Sequence, residues 1–325
     1  RGKFWHIEVE FLKWRSQPMV SALESQADSL DHVTPPGHPE QVARMDAVWG
    51  VLKDFDLLRV KAPLAAEDDL LRAHPKSHID AIKSAAPNDG WRSLDADTHM
   101  SVGTLQAAYR AAGGILRAVD LVIGGDAANA FSAMRPPGHH AGRETAMGFC
   151  FFGNVAIAAK HALDHHRLKR VAIVDFDVHH GNGTQDLVEE DARILFCSTH
   201  QSPLYPGTGA ATETGVGNVL NVPLPDGTGS KPFRDVMERI VLPRVDAFAP
   251  ELLIISAGFD AHQDDPLAGM NLTTEDFGWV TEKLCDLAEK HCSGRVVSSL
   301  EGGYDLAALG ASAAAHVKVL EERGR

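Results

Sequence analysis

The run Val171-Ala172-Ile173-Val174-Asp175-Phe176-Asp177-Val178-His179-His180-Gly181-Asn182-Gly183 begins as an apolar strand and ends in acids and imidazoles. Side chains at i, i+2 and i+4 of an extended segment share one face. Asp175, Asp177 and His179 are therefore predicted to point the same way. Carboxylates and an imidazole crowded together out of water repel and lose hydration unless a cation lies among them. The pattern predicts half of a metal site. Three further apolar runs end in unusual polar groups. Asn129–Met134 leads into Arg135-Pro136-Pro137-Gly138-His139-His140, Glu251–Ser256 into Ala257-Gly258-Phe259-Asp260, and Arg295–Leu300 into Glu301-Gly302-Gly303-Tyr304.

Asp177, His179 and Asp260 would give a metal two carboxylates and one imidazole. Three protein ligands leave room for water and substrate, as catalytic sites do, and the lack of cysteine donors excludes a finger-type zinc site. Asp-x-His alone is a weak signal, equally suited to a hydrogen-bonded strand end; a second acidic strand end strengthens it. Asp175, the innermost acid, is predicted to orient an imidazole or to help hold a monovalent ion. His139 and His140 follow a loop stiffened by Pro136 and Pro137. They can divide the work of base and acid if a carboxylate raises one pKa and a neutral amide leaves the other low. Asp175 and Asn182 are partners of those two kinds. Tyr304 can donate a hydrogen bond to a developing oxyanion, with Asp305 capping the helix that follows. A second pair, His165-His166, stands near Lys169 and Arg170 and is assigned to solvent.

Holding these groups together requires a scaffold in which strand ends converge. The strand runs already named, with Arg193–Ser198 and Asn218–Val222, alternate with helical patterns. Those patterns cover Pro39–Phe55, His78–Ala86, Val102–Ile123, Asn154–Leu168, Lys231–Phe248, Thr273–His291 and Asp305–Glu321. Such alternation predicts an α/β fold with a mostly parallel sheet flanked by helices, and ligands bind such sheets beyond the carboxyl ends of the strands. One catalytic domain is expected over residues 31–325, after a segment 1–30 without clear structural signals. The 325 residues, 44% hydrophobic and 23% charged, can bury a large core. A net charge of −13 argues against nucleic acid as a partner. No apolar run reaches membrane-spanning length, and Arg1 to Val20 lack the apolar stretch of a signal peptide. Four cysteines without a C-x-x-C pair point to a reducing compartment, the cytoplasm.

Taken together, these residues resemble the histone deacetylase family, with its single-domain arginase/deacetylase fold. The matching segments are Arg135–His140, Gly148-Phe149-Cys150-Phe151-Phe152-Gly153-Asn154, Asp175–Gly183, Tyr205-Pro206-Gly207-Thr208-Gly209, Ala257–Asp260 and Leu300–Tyr304. Pro36-Gly37-His38-Pro39-Glu40 resembles the family's early loop, so the match runs from about Thr34 to the last residue. The resemblance implies that Asp177, His179 and Asp260 bind one zinc ion per chain. It implies that His139 and His140 handle protons with Asp175 and Asn182 as partners, and that Tyr304 polarises the substrate carbonyl. Gly148, Phe149, Tyr205 and Leu267 would line the acyl-lysine tunnel, with Asp97 as a possible hold on the substrate backbone. Asp175, Ser198 and the carbonyls of Asp177 and His179 resemble the family's potassium site.

Subgroup marks point to a class II-like bacterial histone deacetylase-like amidohydrolase. Asn182 stands where class I members usually carry Asp, and Tyr304 is not the His of the weakly active class IIa enzymes. Leu267 stands where the polyamine deacetylase has a gatekeeping Glu. The expected activity is zinc-dependent, metal-assisted hydrolysis of an acyl-lysine or related acylated amine, releasing acetate, with no role for nucleic acid or membrane. The alternatives are an acetylpolyamine amidohydrolase and, less favoured, a non-catalytic binder of acetylated ligands. A two-manganese arginase-like site would lack ligands, since Asp260 is not part of an Asp-x-Asp. A homo-oligomer is left open.

Overall fold

The apolar runs become the spine of one sheet. A computed structural model describes residues 20–325. Its strands are β1 (Ala22–Ser25), β2 (Leu58–Lys61), β3 (Trp91–Ser93), β4 (His99–Ser101), β5 (Asn129–Ser132), β6 (Val171–Asp175), β7 (Ile194–Gln201), β8 (Val219–Leu224), β9 (Leu252–Ala257) and β10 (Val296–Leu300). Eight of them form a sheet in the order β2-β1-β5-β10-β9-β6-β7-β8. Every neighbouring pair in it is parallel. β3 and β4 make a separate antiparallel pair.

Parallel strands need helical crossovers. These are α1 (Ala43–Leu52), α2 (Glu67–Leu70), α3 (Lys76–Ala85), α4 (Thr104–Gly124), α5 (Asn154–Asp164), α6 (Asn182–Val188), α7 (Ser230–Val236), α8 (Leu242–Phe248), α9 (Thr274–Cys292) and α10 (Leu306–Arg323). The single helix predicted over Lys231–Phe248 is α7 and α8 joined through a π turn at Met237–Val241. Asp305 caps α10 as expected, its carboxylate accepting the Ala308 N–H at 2.8 Å.

Both faces of the central strands are covered, which is why those strands read as continuous apolar runs. In β6, Val171 and Ile173 join a layer with Ile115 of α4 and Val155 of α5. Ala172 and Val174 join the opposite layer with Leu284 of α9 and Val317 of α10. The sheet also takes in β1, so the folded unit reaches back to at least Val20, beyond the boundary expected at residue 31. Residues 1–19, part of the predicted N-terminal segment, lie outside the described residues. Because the eight strands are parallel, their carboxyl ends share one edge, and β5, β10, β9, β6 and β7 are consecutive along it.

Candidate active site

Asp177 and His179 follow β6, and Asp260 follows β9, the adjacent strand. Nδ1 of His179 lies 3.1 Å from Asp177 Oδ1 and 3.1 Å from Asp260 Oδ2. One donor atom from each residue falls within 4.8 Å of the others, and all three residues are buried. The loop backbone fixes the carboxylates: Val178 N–H donates to Asp260 Oδ1 at 2.9 Å and Gly302 N–H to Asp177 Oδ2 at 2.9 Å. Gly302 is forced by this approach, since a Cβ there would stand 2.2 Å from Asp260 Oδ2. Burial raises the Asp260 carboxyl to about 7, with the neighbouring Asp177 adding to it. Burial opposes charge on His179, but hydrogen bonds to Asp177 and Asp260 outweigh it and lift the imidazole to about 10. The cluster thus calls for positive charge, and its donor set of two carboxylates and one imidazole fits a divalent transition ion.

The tandem histidines lie on the loop after β5. Their ring centroids are 4.0 Å apart. His139 Nδ1 meets Asp175 Oδ2 at 3.1 Å, and His140 Nδ1 meets Asn182 Oδ1 at 2.7 Å. The environments separate the two rings. Burial disfavours charge on His139, yet Asp177 and Asp175 outweigh it and hold its pKa well above the ordinary value. Burial pushes His140 well below, and the positive His139 and His179 push the same way.

Tyr304 follows β10 across the cup. Its N–H donates to Asp265 Oδ2 at 2.7 Å, and the Arg44 guanidinium lies over its ring at 5.0 Å. Burial, with Asp260 nearby, raises its phenol well above the ordinary range. A cavity of about 350 Å³ opens above these groups, lined in part by Asp97, Gly148, Phe149, Tyr205, Leu267 and Tyr304. Phe149 and Tyr304 pack edge to face with centroids 5.8 Å apart, and Tyr205 packs on His140 at 5.2 Å. Gly148 has φ +55°, and a Cβ there would come within 2.4 Å of His140 Cδ2. Ser198 lies beside Asp175 in the β6–β7 register, but its hydroxyl is hydrogen-bonded to His200 Nδ1 at 3.0 Å.

Several contributors escape sequence reasoning. Glu301 Oε2 accepts the N–H groups of Gly138 at 2.7 Å and His139 at 3.1 Å, fixing the histidine loop, and burial raises its carboxyl to about 7. Beneath it, Glu40 binds Arg44 and Arg135, all fully buried. Arg44 in turn donates to the carbonyls of Gly303 at 2.7 Å and Glu301 at 2.5 Å. Charged side chains that follow a strand or open a helix and nevertheless lie in the interior are the one local signal, and Arg135 before two prolines is the clearest. His38, Pro39, His99 and Leu204 also line the cavity.

An eight-stranded parallel sheet carries this cup at its carboxyl edge, and comparison with known proteins gives the family. The histone deacetylase domain matches residues 38–320. A probable deacetylase of Archaeoglobus fulgidus is 38% identical over 298 residues, 89% of this chain and 82% of that protein. A histone deacetylase-like amidohydrolase of Pseudomonas aeruginosa is 41% identical over 284 residues, 84% of this chain and 74% of that one. The crystal structure of the HDA15 HD domain aligns with a TM-score of 0.89 at 36% identity, covering 94% of this chain and 89% of that one. The chain belongs to the histone deacetylase family and has its arginase/deacetylase fold. Among the described residues no helix is long and apolar enough to cross a membrane.

Proposed function

We propose that the chain is a zinc-dependent deacetylase that hydrolyses the amide of an acyl-lysine or a related acylated amine and releases acetate. The observation that carries it is the convergence of Asp177, His179 and Asp260, with His179 reaching the cavity wall that His140 and Tyr304 also line. The zinc would be held by those three residues. A bound ion of this kind supplies Lewis acidity and lowers the pKa of a water. In the cavity, Phe149 and Tyr205 flank the acyl-lysine stem. Tyr304 donates its phenolic hydrogen to the oxygen that gains charge as the amide carbon becomes tetrahedral. His140, neutral and poised beside Asn182, accepts the proton of the attacking water. His139, hydrogen-bonded to Asp175 through Nδ1, supports the negative charge that develops, and the proton passes from the imidazole pair to the leaving amine.

The relatives' names support deacylation, and two local features bear on its details. Leu267 at the cavity favours a neutral acyl-lysine over an acetylpolyamine. A potassium ion would be held by the carbonyls of Asp177 and His179, which accept no backbone N–H among the described residues, with Asp175 and a lone pair of Ser198 Oγ, whose hydroxyl also bonds His200 Nδ1. All four cysteines are unpaired and buried, consistent with a reducing compartment such as the cytoplasm. The test is turnover of a fluorogenic acetyl-lysine substrate, abolished by a chelator and restored by zinc. Zinc-loaded protein that releases no acetate from any acyl-lysine or acetylpolyamine would leave the non-catalytic alternative.

A further inference from the structure

The histidine pair assigned to solvent by sequence is not merely solvated. His165 is exposed, but His166 is half-buried and both join His161 and Asp120 in a compact cluster. We propose that Asp120, His161, His165 and His166 form a second metal site, for a zinc-like divalent transition ion, at the sheet edge opposite the catalytic cup.

Topology sets the location. Asp120 lies in the last turns of α4, and His161 in the last turn of α5. His165 and His166 follow α5 on the short connection into the amino end of β6. The catalytic groups follow the carboxyl end of that strand, so the two sites are at opposite edges.

The geometry is that of a ligand set rather than of isolated hydrogen bonds. One oxygen, Asp120 Oδ1, lies 2.8 Å from His161 Nε2 and 2.7 Å from His166 Nε2. His165 stacks on His161 with centroids 4.8 Å apart and an interplanar angle of 10°, and meets His166 at 4.8 Å edge to face. One ligand atom from each of the four residues lies within 4.8 Å of the rest. Two imidazole donors would satisfy that carboxylate oxygen, so a third ring is surplus to hydrogen bonding. His161 is 6% exposed, and its Nδ1 is buried without a hydrogen-bond partner among the described residues. The catalytic cup has the inverse arrangement, one imidazole nitrogen 3.1 Å from two carboxylate oxygens.

The chemistry selects the ion. Metal bonds of about 2.0–2.1 Å in a tetrahedron place ligand atoms about 3.3 Å apart. The two Asp120 contacts need open by only about half an ångström, within reach of side-chain rotation. Three imidazoles and one carboxylate without thiolate suit zinc, nickel or copper rather than magnesium or calcium. Four protein ligands make the closed, structural kind of site, which would not catalyse. The carbonyl ends of α4 and α5 both carry partial negative charge, which favours a cation between them. The bound ion would clamp the two helices where the chain enters β6.

The test is metal content after equilibrium dialysis of the whole chain against zinc, measured by mass spectrometry. The parent should hold one zinc more per chain than His165→Gln/His166→Gln, and both should deacetylate an acetyl-lysine substrate at the same rate. Equal zinc in the two proteins overturns the proposal. The difference stands whether or not the catalytic cup takes zinc: two against one if it does, one against zero if it does not. Zinc should also raise the thermal midpoint of the parent above that of the variant. If the double variant is insoluble, Asp120→Asn replaces it, with the same expected loss of one zinc.

Discussion

Replacing Asn182 by Asp isolates what the neutral amide does for His140. Asn182 Oδ1 lies 2.7 Å from His140 Nδ1, so the substitution exchanges a neutral acceptor for a carboxylate at nearly the same place. Two unit charges about 4 Å apart at an effective dielectric constant of about 20 attract by about 4 kcal/mol. That is about 3 pKa units at 1.36 kcal/mol per unit. Burial of the new carboxylate removes part of this, leaving an upward shift of about 1–3 units. His140 accepts a proton only when neutral. A higher pKa therefore keeps it charged to higher pH and moves the acid limb of kcat/KM upward by about 1–3 units. The assay is kcat/KM against pH for parent and N182D, both zinc-loaded, with an acetyl-lysine peptide. The effect at the plateau should be small beside the shift of the limb. An acid limb that overlays the parent's would refute the assignment of His140 as the base.

Tyr304→Phe should fold and keep its zinc but lose about 10²–10³ in kcat, the worth of one oxyanion donor; parental turnover would remove Tyr304 from the chemistry. Glu24 on β1 is buried with neither carboxyl oxygen paired among the described residues, and burial pushes its carboxyl up to about 8. Because the folded pKa lies above the unfolded one, the folded chain is favoured below the ordinary value and loses stability as pH rises toward 8. Glu24→Gln should therefore exceed the parent in stability by up to about 3 kcal/mol at pH 7, with the gap closing toward pH 4. Urea unfolding across pH measures this, and a gap independent of pH would contradict it. Leu267→Glu should raise kcat/KM for an acetylpolyamine, relative to a neutral acyl-lysine peptide, about two- to fivefold, the worth of one partly exposed ion pair. An unchanged ratio would show that Leu267 does not face the substrate's amine.

The strands that end in chemistry were legible because burial on both faces demands continuous apolar runs, and acids at their ends stand out. β1 and β2 escaped notice for the opposite reason. Ala22–Ser25 is short and carries Glu24, and Leu58–Lys61 is a largely exposed edge strand with alternating charge. α6 begins at Asn182 and Gly183, where a glycine-flanked loop gives no helix-start pattern. The partners of His139 and His140 could be guessed because Asp175 and Asn182 flank the metal loop. Glu301 could not, since its bond to the Gly138 N–H spans 163 residues. The same holds for the pairing of Glu40 with Arg135. Local periodicity records which face is buried; it does not record which distant partner completes a buried charge.

The most direct test of the catalytic proposal is acetate release from an acetyl-lysine peptide by protein stripped of metal and then reloaded with zinc. The parent should be inactive when stripped and recover with zinc, whereas Asp260→Asn should stay inactive under both conditions. Metal-free parent working at the reloaded rate, or Asp260→Asn recovering fully with zinc, would contradict the assignment of Asp177, His179 and Asp260 as the catalytic metal site.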